Sequence, residues 1–205
     1  MLIKLIIQKV GNLLYRKNED FIQTWTIPEY VCDDILKYFH DNSQFHEKGI
    51  SKKGHETQTE AKISTEISMN PNFIEEPFGD YRLALQKCLN EYIEYYPMID
   101  ELCRFNILEN YNIQHYKKSE GYKVEHFERD GTQNKSIKRC LVFMTYLNDL
   151  EAGGTKFINQ KRIIQAQKGK TVIFPADWTH AHVGQISKTQ EKTIVTGWYS
   201  YEWDN

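Results

Sequence analysis

The chain has little of what nucleic-acid-binding and disulfide-stapled proteins need. Its 26 basic and 28 acidic residues nearly cancel, leaving a formal charge of −2, so we expect no nucleic-acid partner. Its four cysteines form no C-x-x-C pair and match no zinc or disulfide spacing. We therefore expect reduced thiols in a cytoplasmic protein: Cys32, Cys88, Cys103 and Cys140.

A membrane span is also missing from the sequence pattern. The apolar stretch at residues 1–14 is interrupted by Lys4, Gln8 and Lys9, and it is shorter than the roughly 20 residues that cross a bilayer. Its apolar residues recur at helical spacing, which predicts an amphipathic helix. We expect this helix to pack on the domain's own sheet, with a membrane surface as the minor alternative.

What the chain does have is enough apolar side chain for one sizeable core. Of its 205 residues, 40% are apolar and 13% aromatic, which favours a single domain over 1–205. The part up to about residue 104 is predicted as helix and loop. Two apolar stripes at helical spacing mark its helices, which we expect to end near residue 42 and to span about 80–95: Val31, Ile35 and Phe39, then Tyr81, Leu85, Leu89 and Tyr92. The polar stretch between them, residues 41–64, is predicted to form part of a lid over an active-site mouth.

The second half changes character after Phe105. Short runs rich in β-branched and aromatic residues alternate with turn signals, and we predict strands at 111–116, 122–128, 140–147, 155–158, 162–167, 170–174, 178–182 and 192–201. Many short, evenly spaced strands indicate an antiparallel barrel or jelly roll. The predicted fold is α+β but mainly β: a double-stranded β-helix (jelly-roll) core over about 105–202, backed by the N-terminal helices.

Two motifs in this half predict a metal site. His126 and Glu128 are two residues apart, so in a strand their side chains point to the same face. More than fifty residues later, His180 and His182 offer a further imidazole. Two histidines and one carboxylate on one face of a metal leave three positions open, the facial triad of non-haem Fe(II) oxygenases. Asp130 is an alternative carboxylate, although Gly131 after it favours a turn.

The order and spacing of several motifs over residues 111–200 resemble the prolyl 4-hydroxylase-like branch of the Fe(II)- and 2-oxoglutarate-dependent oxygenases. The H-x-E form of the metal motif resembles phage and marine bacterial members, and for a phage-encoded chain this resemblance implies the cytoplasm of the host. The motifs that carry the resemblance follow one another in the expected order: Tyr116, Gly121, His126, Tyr146-Leu147-Asn148, Gly153-Gly154-Thr155-Lys156-Phe157, Gly169, Phe174-Pro175, His182, then Lys192 ten residues on and Trp198 six further.

The resemblance implies that His126, Glu128 and His182 bind Fe²⁺. The spacing to Lys192 favours His182 over His180 as the distal ligand, and it leaves His180 as a pocket residue behind the metal ligands. Most of the family has aspartate where this chain has Glu128, which is one methylene longer and still able to bind through one oxygen.

The co-substrate implied by the resemblance, 2-oxoglutarate, has a second carboxylate that requires a cation and a hydroxyl partner when buried. Lys192 is the candidate cation and Tyr116 the candidate hydroxyl donor. Thr196 lies on the same strand face as Lys192 and adds a second hydroxyl. The alternative is that Lys192 is a surface lysine like its neighbour Lys188.

The predicted function is therefore a 2-oxoglutarate-dependent dioxygenase that uses O₂ to hydroxylate an unactivated C–H bond, with ascorbate as a supporting reductant. Family likeness favours a prolyl residue of a peptide or protein, with a small-molecule substrate as the alternative. Three other interpretations stay open: a non-catalytic cupin-like metal-binding module, a nucleic-acid demethylase on the same barrel, and a zinc hydrolase. The sequence carries no signal of oligomeric state.

Overall fold

The computed structural model of the protein describes residues 18–50, 52–53, 56–57, 61–101 and 103–202. The amphipathic helix predicted for residues 1–14 lies outside the described residues. Among the described residues, no helix is both long and apolar enough to span a lipid bilayer.

Two helices pack on one side of a large sheet, as the apolar stripes predict. Helix α1 spans Glu29–Asp41 and helix α2 spans Phe78–Tyr95. Their buried residues include all the predicted ones, and Cys32, Phe78 and Ala84 are buried in addition. Two single-turn helices follow later, α3 at Met98–Glu101 and α4 at Asn134–Ile137.

The main sheet has eight antiparallel strands in the order β1-β13-β10-β15-β8-β6-β2, with β7 beside the far end of β15. Its strands have these bounds: β1 Gln23–Thr26, β2 Glu47–Lys48, β6 Thr65–Met69, β7 Phe105–Asn106, β8 Tyr111–Tyr116, β10 Arg139–Tyr146, β13 Lys170–Pro175 and β15 Lys192–Tyr201. Strand β15 pairs with both β10 and β8, which places it at the centre of the sheet.

A smaller sheet covers the other face of the main one. It has the order β12-β11-β14 and consists of β11 Thr155–Phe157, β12 Arg162–Ile164 and β14 His182–Gly184. Two short strand pairs complete the described strands: β3 Lys52–Lys53 with β4 Glu56–Thr57, and β5 Lys62–Ile63 with β9 Gly121–Tyr122. Two facing sheets with helices behind one of them match the predicted jelly-roll fold.

The core has two parts because alternate residues of each strand point to opposite faces. On β10, Leu141 and Phe143 pack toward the helices, whereas Val142, Met144 and Tyr146 pack between the two sheets. The space between the sheets is only partly filled, and the remainder is the cavity that holds the candidate site.

The helix-and-loop prediction for the first half is wrong in one respect, because β1, β2 and β6 from this half belong to the main sheet. Strand β6 buries Ile67 and Met69 in the helix-side core, while Glu66 and Ser68 line the cavity. The residues of β6 that face the cavity are polar, as loop residues commonly are. The alternation of apolar and polar residues in this short segment is therefore too weak to predict a strand.

Two predicted strands in the second half are also corrected. The stretch 122–128 is not a continuous strand: β9 ends at Tyr122, and His126 forms an isolated bridge with His182. Residues 178–180 form a 3₁₀ turn, closed by the bond from the His180 N–H to the Asp177 carbonyl (2.8 Å), and the strand begins only at His182. His180 and His182 therefore do not share one strand face.

Candidate metal centre

Three side chains from two separate segments meet at one end of the cavity. His126 and Glu128 follow β9, and His182 opens β14. The backbones of His126 and His182 exchange both hydrogen bonds, at 3.0 and 2.9 Å, and the Glu128 N–H donates to the carbonyl of Ala176 at 3.1 Å. These bonds hold the segment after β9 in place although it is not itself a strand.

The ligand atoms of the three residues form a compact group. Glu128 Oε1 lies 3.4 Å from His126 Nε2 and 3.8 Å from His182 Nε2. One ligand atom from each residue lies within 4.8 Å of the others, and in the described ranges no other group of histidine, cysteine and acidic side chains does this. Two imidazoles and one carboxylate at this separation can hold one divalent cation of the transition series.

Both imidazoles are oriented as metal ligands require. His126 Nδ1 lies 2.9 Å from the carbonyl oxygen of Val124, and His182 Nδ1 lies 2.9 Å from that of His180. A carbonyl accepts only, so each Nδ1 carries the proton and each Nε2 presents a lone pair toward Glu128. Histidine ligands in metal sites are characteristically fixed in this way, which makes the donor set suitable for iron.

The protonation states of these residues also suit a metal. Burial lowers the pKa of His182 to about 4, with the nearby charge of His126 acting in the same direction. Burial would raise the pKa of Glu128, but at the acid pH where this carboxyl titrates the protonated rings of His126 and His182, together with Arg139, outweigh burial and lower the pKa to about 2. At neutral pH, His182 is therefore a neutral imidazole and Glu128 a carboxylate, the forms that bind metal.

Aromatic rings enclose the two histidines. The ring of Tyr122 stacks on that of His126 with 3.8 Å between centroids and 16° between planes. Phe157 and Phe174 lie 5.6 and 5.0 Å from the ring of His182. This apolar shell restricts ring rotation and water access around the ligand atoms.

The second oxygen of Glu128 has its own partners, which the sequence motifs did not reveal. Trp198 Nε1 donates to Glu128 Oε2 at 2.9 Å, and Arg139 Nη1 lies 3.4 Å from the same oxygen. Arg139 is in turn paired with Glu109 through two bonds of 2.7 and 2.8 Å. Arg139 and Glu109 belong to no motif; the only sequence signal was a lone arginine at the start of a buried strand.

The predicted co-substrate residues lie side by side on the main sheet. Lys192 and Tyr116 are register partners on β15 and β8, and Lys192 Nζ lies 4.9 Å from the centre of the Tyr116 ring. Lys192 is 5% exposed, and among the described residues its ammonium has one hydrogen-bond partner, the carbonyl of Gln185 at 3.1 Å. Burial lowers the pKa of Lys192 to about 8. Within the described part of the chain, no carboxylate of the protein lies within 4.0 Å of this ammonium.

The hydroxyl groups of Tyr116 and Thr196 donate hydrogen bonds to different kinds of acceptor. The Tyr116 hydroxyl donates to the Gln114 side-chain carbonyl at 2.7 Å, and burial raises the pKa of Tyr116 well above its ordinary value. Thr196 lines the cavity on the same row as Lys192, and its hydroxyl donates to the carbonyl of Phe143 at 3.2 Å.

The two alternative ligands point elsewhere. The ring of His180 is bonded through Nε2 to the carbonyl of Asp20 and through Nδ1 to the hydroxyl of Thr179, at 2.9 and 3.0 Å. The carboxylate of Asp130 accepts from Thr132 and from the Ser136 hydroxyl, which is the turn role that the following glycine predicts. His180 contributes to the site only through its backbone carbonyl, which orients His182.

The cavity has a volume of about 860 Å³ and extends from the histidines along the cavity-facing row of the main sheet. Such a volume is typical of a ligand-binding site. Its lining combines polar and apolar side chains, including Ile50, Lys62, Glu66, Ser68, Asn112, Gln114, Val124, Met144, Thr155 and Ile194. Ile50 and Lys62 come from the polar stretch for which we predicted a lid.

Comparison with known proteins agrees with this geometry. The sequence model of the 2OG-Fe(II) oxygenase superfamily matches residues 111–200. No curated protein matches the chain in sequence. Among solved structures, a viral collagen prolyl hydroxylase of Paramecium Bursaria Chlorella virus-1, bound to 2OG, superposes with a TM-score of 0.64 at 19% identity over 88% of this chain and 96% of that one.

Two further structures are similar over most of their length. A prolyl-4-hydroxylase of Pseudomonas putida gives a TM-score of 0.65 at 14% identity, covering 95% of this chain and 97% of that chain. A Trichoplax adhaerens prolyl hydroxylase, in complex with a peptide fragment of the hypoxia inducible factor oxygen degradation domain, gives 0.67 at 13%, covering 96% and 89%. At these identities the likeness shows a shared fold. Residues 111–200 thus match the 2OG-Fe(II) oxygenase superfamily, and the shared fold and the His-Glu-His cluster support a 2-oxoglutarate-dependent hydroxylase.

Proposed function

We propose that this hydroxylase binds Fe(II) through His126 Nε2, His182 Nε2 and Glu128 Oε1. The observation that carries the proposal is the mutual orientation of these atoms: each histidine has its Nδ1 fixed on a backbone carbonyl, and both Nε2 atoms face one carboxylate oxygen. Bound there, Fe(II) supplies the centre at which 2-oxoglutarate is decarboxylated to succinate and CO₂ while O₂ hydroxylates a C–H bond.

Lys192 is proposed to bind the distal carboxylate of 2-oxoglutarate. A buried ammonium with one carbonyl partner retains unused donors, and a carboxylate between the sheets would supply the missing acceptor. The hydroxyls of Tyr116 and Thr196 border the same space and are proposed to add hydrogen bonds. This cation supports the oxygenase over a cupin-like metal-binding module, which has no need of it.

The substrate is proposed to be a prolyl residue of a peptide or protein, with a small molecule as the alternative. A related Trichoplax enzyme of the same fold was solved with a peptide, which supports the first choice. Exposed apolar side chains at the cavity, Ile50 and Val124, stand beside polar ones such as Asn112, which suits a chain with both backbone amides and apolar groups. The segment containing Ile50 and Lys62 is proposed to cover the bound substrate.

The cellular compartment and the supporting reductant are proposed from general chemistry. The described cysteines are all free, which supports the proposal of a reducing, cytoplasmic environment. Ascorbate is proposed as a supporting reductant for iron that has been oxidised in unproductive turnover.

The test begins without oxygen and without a substrate. Adding 2-oxoglutarate to the Fe(II)-loaded protein should produce a weak visible charge-transfer band, and admitting air should release succinate. A protein that binds the metal but gives neither result would be a binding module or a hydrolase. A peptide-library hydroxylation screen then identifies the substrate, and activity on free amino acids but on no peptide would contradict the peptide proposal.

A further inference from the structure

Glutamate in place of aspartate as the carboxylate ligand raises the question of how binding through both of its oxygens is prevented. Glutamate has one more rotatable bond, and its two oxygens are both able to reach a metal held by His126 and His182. Binding through both would occupy one of the three positions that the co-substrate and O₂ need. The longer ligand therefore needs something that keeps its second oxygen away from the metal.

The two oxygens of Glu128 have clearly different surroundings. Oε1 faces the two histidine Nε2 atoms at 3.4 and 3.8 Å. Oε2 points the other way, toward the Trp198 indole N–H at 2.9 Å and Arg139 Nη1 at 3.4 Å. Hydrogen bonds to a charged carboxylate in a site that is mostly screened from water are among the stronger ones in proteins.

The partners of Oε2 are themselves held firmly. The guanidinium carbon of Arg139 lies 3.6 Å from the Trp198 ring, a cation–π contact. The same guanidinium forms a two-bond pair with the buried Glu109 and donates to the backbone carbonyl of Glu128 at 3.0 Å. A register shift between Arg139 and Leu141 on β10 marks a bulge, a feature that characteristically redirects a side chain beside an active site.

We propose that Trp198 and Arg139 form a carboxylate clamp that restricts Glu128 to binding the metal through one oxygen. The clamp compensates for the additional methylene of glutamate and keeps the third open metal position available. Both are positioning residues, because they act on the metal only through Glu128. This inference rests on the proposed function, since it assumes that Glu128 is a metal ligand.

The decisive variant is Trp198→Phe, which retains an aromatic ring beside Arg139 but removes the N–H. Under nitrogen, with Co(II) as the probe and no 2-oxoglutarate, we expect its visible absorption to differ from that of the wild type, because a second oxygen of Glu128 replaces a solvent ligand. With Mn(II), the dissociation constant of 2-oxoglutarate should rise about tenfold, because the co-substrate must displace that oxygen.

The chain offers a matched control for the loss of an indole N–H. Trp25 Nε1 donates to Glu91 Oε2 at 2.8 Å, the same type of bond, between β1 and α2. Trp25→Phe should lower the melting temperature and leave the Co(II) spectrum and the 2-oxoglutarate affinity unchanged.

A double-mutant cycle distinguishes an effect of Trp198 that acts through Glu128 from a general loss of stability. The shorter side chain of Glu128→Asp does not extend to the indole, so adding Trp198→Phe to that variant should change neither the spectrum nor the affinity. Equal effects of Trp198→Phe in both backgrounds, or none in either, would overturn the clamp. If Glu128→Asp holds no metal, the Co(II) spectrum of Trp198→Phe alone decides, and an unchanged spectrum overturns the proposal. A wild-type protein without the Fe(II)–2-oxoglutarate band would instead overturn the proposed function.

Discussion

Strands β8, β10 and β15 each turn one row of side chains toward the helices and the other toward the cavity, and the two rows differ in kind. On β8, Tyr111 and Ile113 are fully buried under the helices, whereas Asn112 and Gln114 line the cavity. The helix-side row of β8 is thus mostly hydrocarbon and aromatic ring, while the cavity-side row contains groups whose hydrogen-bonding capacity a ligand could use.

Strand β15 shows the same contrast between its helix-side and cavity-side residues. Val195 packs in the helix-side core, while Lys192, Thr196 and Trp198 face the cavity. The two rows share one backbone, so a rigid core on one side fixes the positions of the reactive groups on the other. The comparison predicts that substitutions on one face change stability and those on the other change binding.

The largest effect is expected at the proposed metal ligands on the cavity side. Replacing His182 by alanine removes one of three ligands, so Fe(II) binding and succinate formation should fall by more than the roughly 100-fold that the loss of an outer partner costs. Anaerobic Fe(II) titration and succinate release measure the two quantities.

His180 supplies the matched control for that variant. Its ring binds the carbonyl of Asp20 and not the cluster, and the carbonyl that orients His182 belongs to its backbone. His180→Gln should therefore retain Fe(II) binding, while the melting temperature falls. Loss of Fe(II) in His180→Gln with retention in His182→Ala would show that the distal ligand had been assigned to the wrong histidine.

The sequence predicts those elements of the fold whose signal lies in one short, continuous run of residues. Strand β15 spans Lys192–Tyr201, as the run of β-branched and aromatic residues predicts, and β8 has its predicted bounds as well. Strand β6 was missed because its cavity-side residues are polar. Strand β1 was missed because its four residues carry no clear apolar alternation.

The same distinction applies to the site. His126, Glu128 and His182 follow from short motifs, and the structure brings them together although their predicted strands are replaced by a bridge and a 3₁₀ turn. The contact of Trp198 and Arg139 with Glu128 could not be predicted, although Trp198 itself belongs to the motifs. It depends on a strand bulge and on an arginine 59 positions before its tryptophan, and neither has a motif.

The next largest effect tests the helix-side row. Ile113 is fully buried, so Ile113→Ala leaves a cavity and should lower the free energy of unfolding by about 3 kcal/mol. The dissociation constant of 2-oxoglutarate for the folded protein should not change. Its neighbour Asn112 points to the other face, and Asn112→Ala should shift the free energy of unfolding by less than about 1 kcal/mol. Urea denaturation of both variants checks the comparison, which fails if the two variants are equally destabilised.

A smaller effect is expected at Lys192. Replacement by methionine retains most of the volume but removes the charge, so the dissociation constant of 2-oxoglutarate should rise about 30-fold while Fe(II) binding stays unchanged. The exposed Lys188 is the matched control, and Lys188→Met should behave as the wild type. If Lys188→Met shows the loss instead, Lys192 is not the cation that binds the co-substrate.

The smallest effect concerns pH and uses the same lysine. Burial depresses the pKa of Lys192 to about 8, so the free enzyme loses the ammonium as the pH rises through that value. Since the carboxylates of 2-oxoglutarate stay ionised, binding above this pH must take up a proton. Its dissociation constant should therefore be constant from pH 6.5 to 7.5 and rise about tenfold per unit above pH 8. Calorimetric titration with Mn(II) bound measures this slope, and Lys192→Arg should flatten it because arginine stays charged. A constant affinity up to pH 9.5 in the wild type would mean that the ammonium does not meet the co-substrate, and the cavity-side row would lose its assigned role.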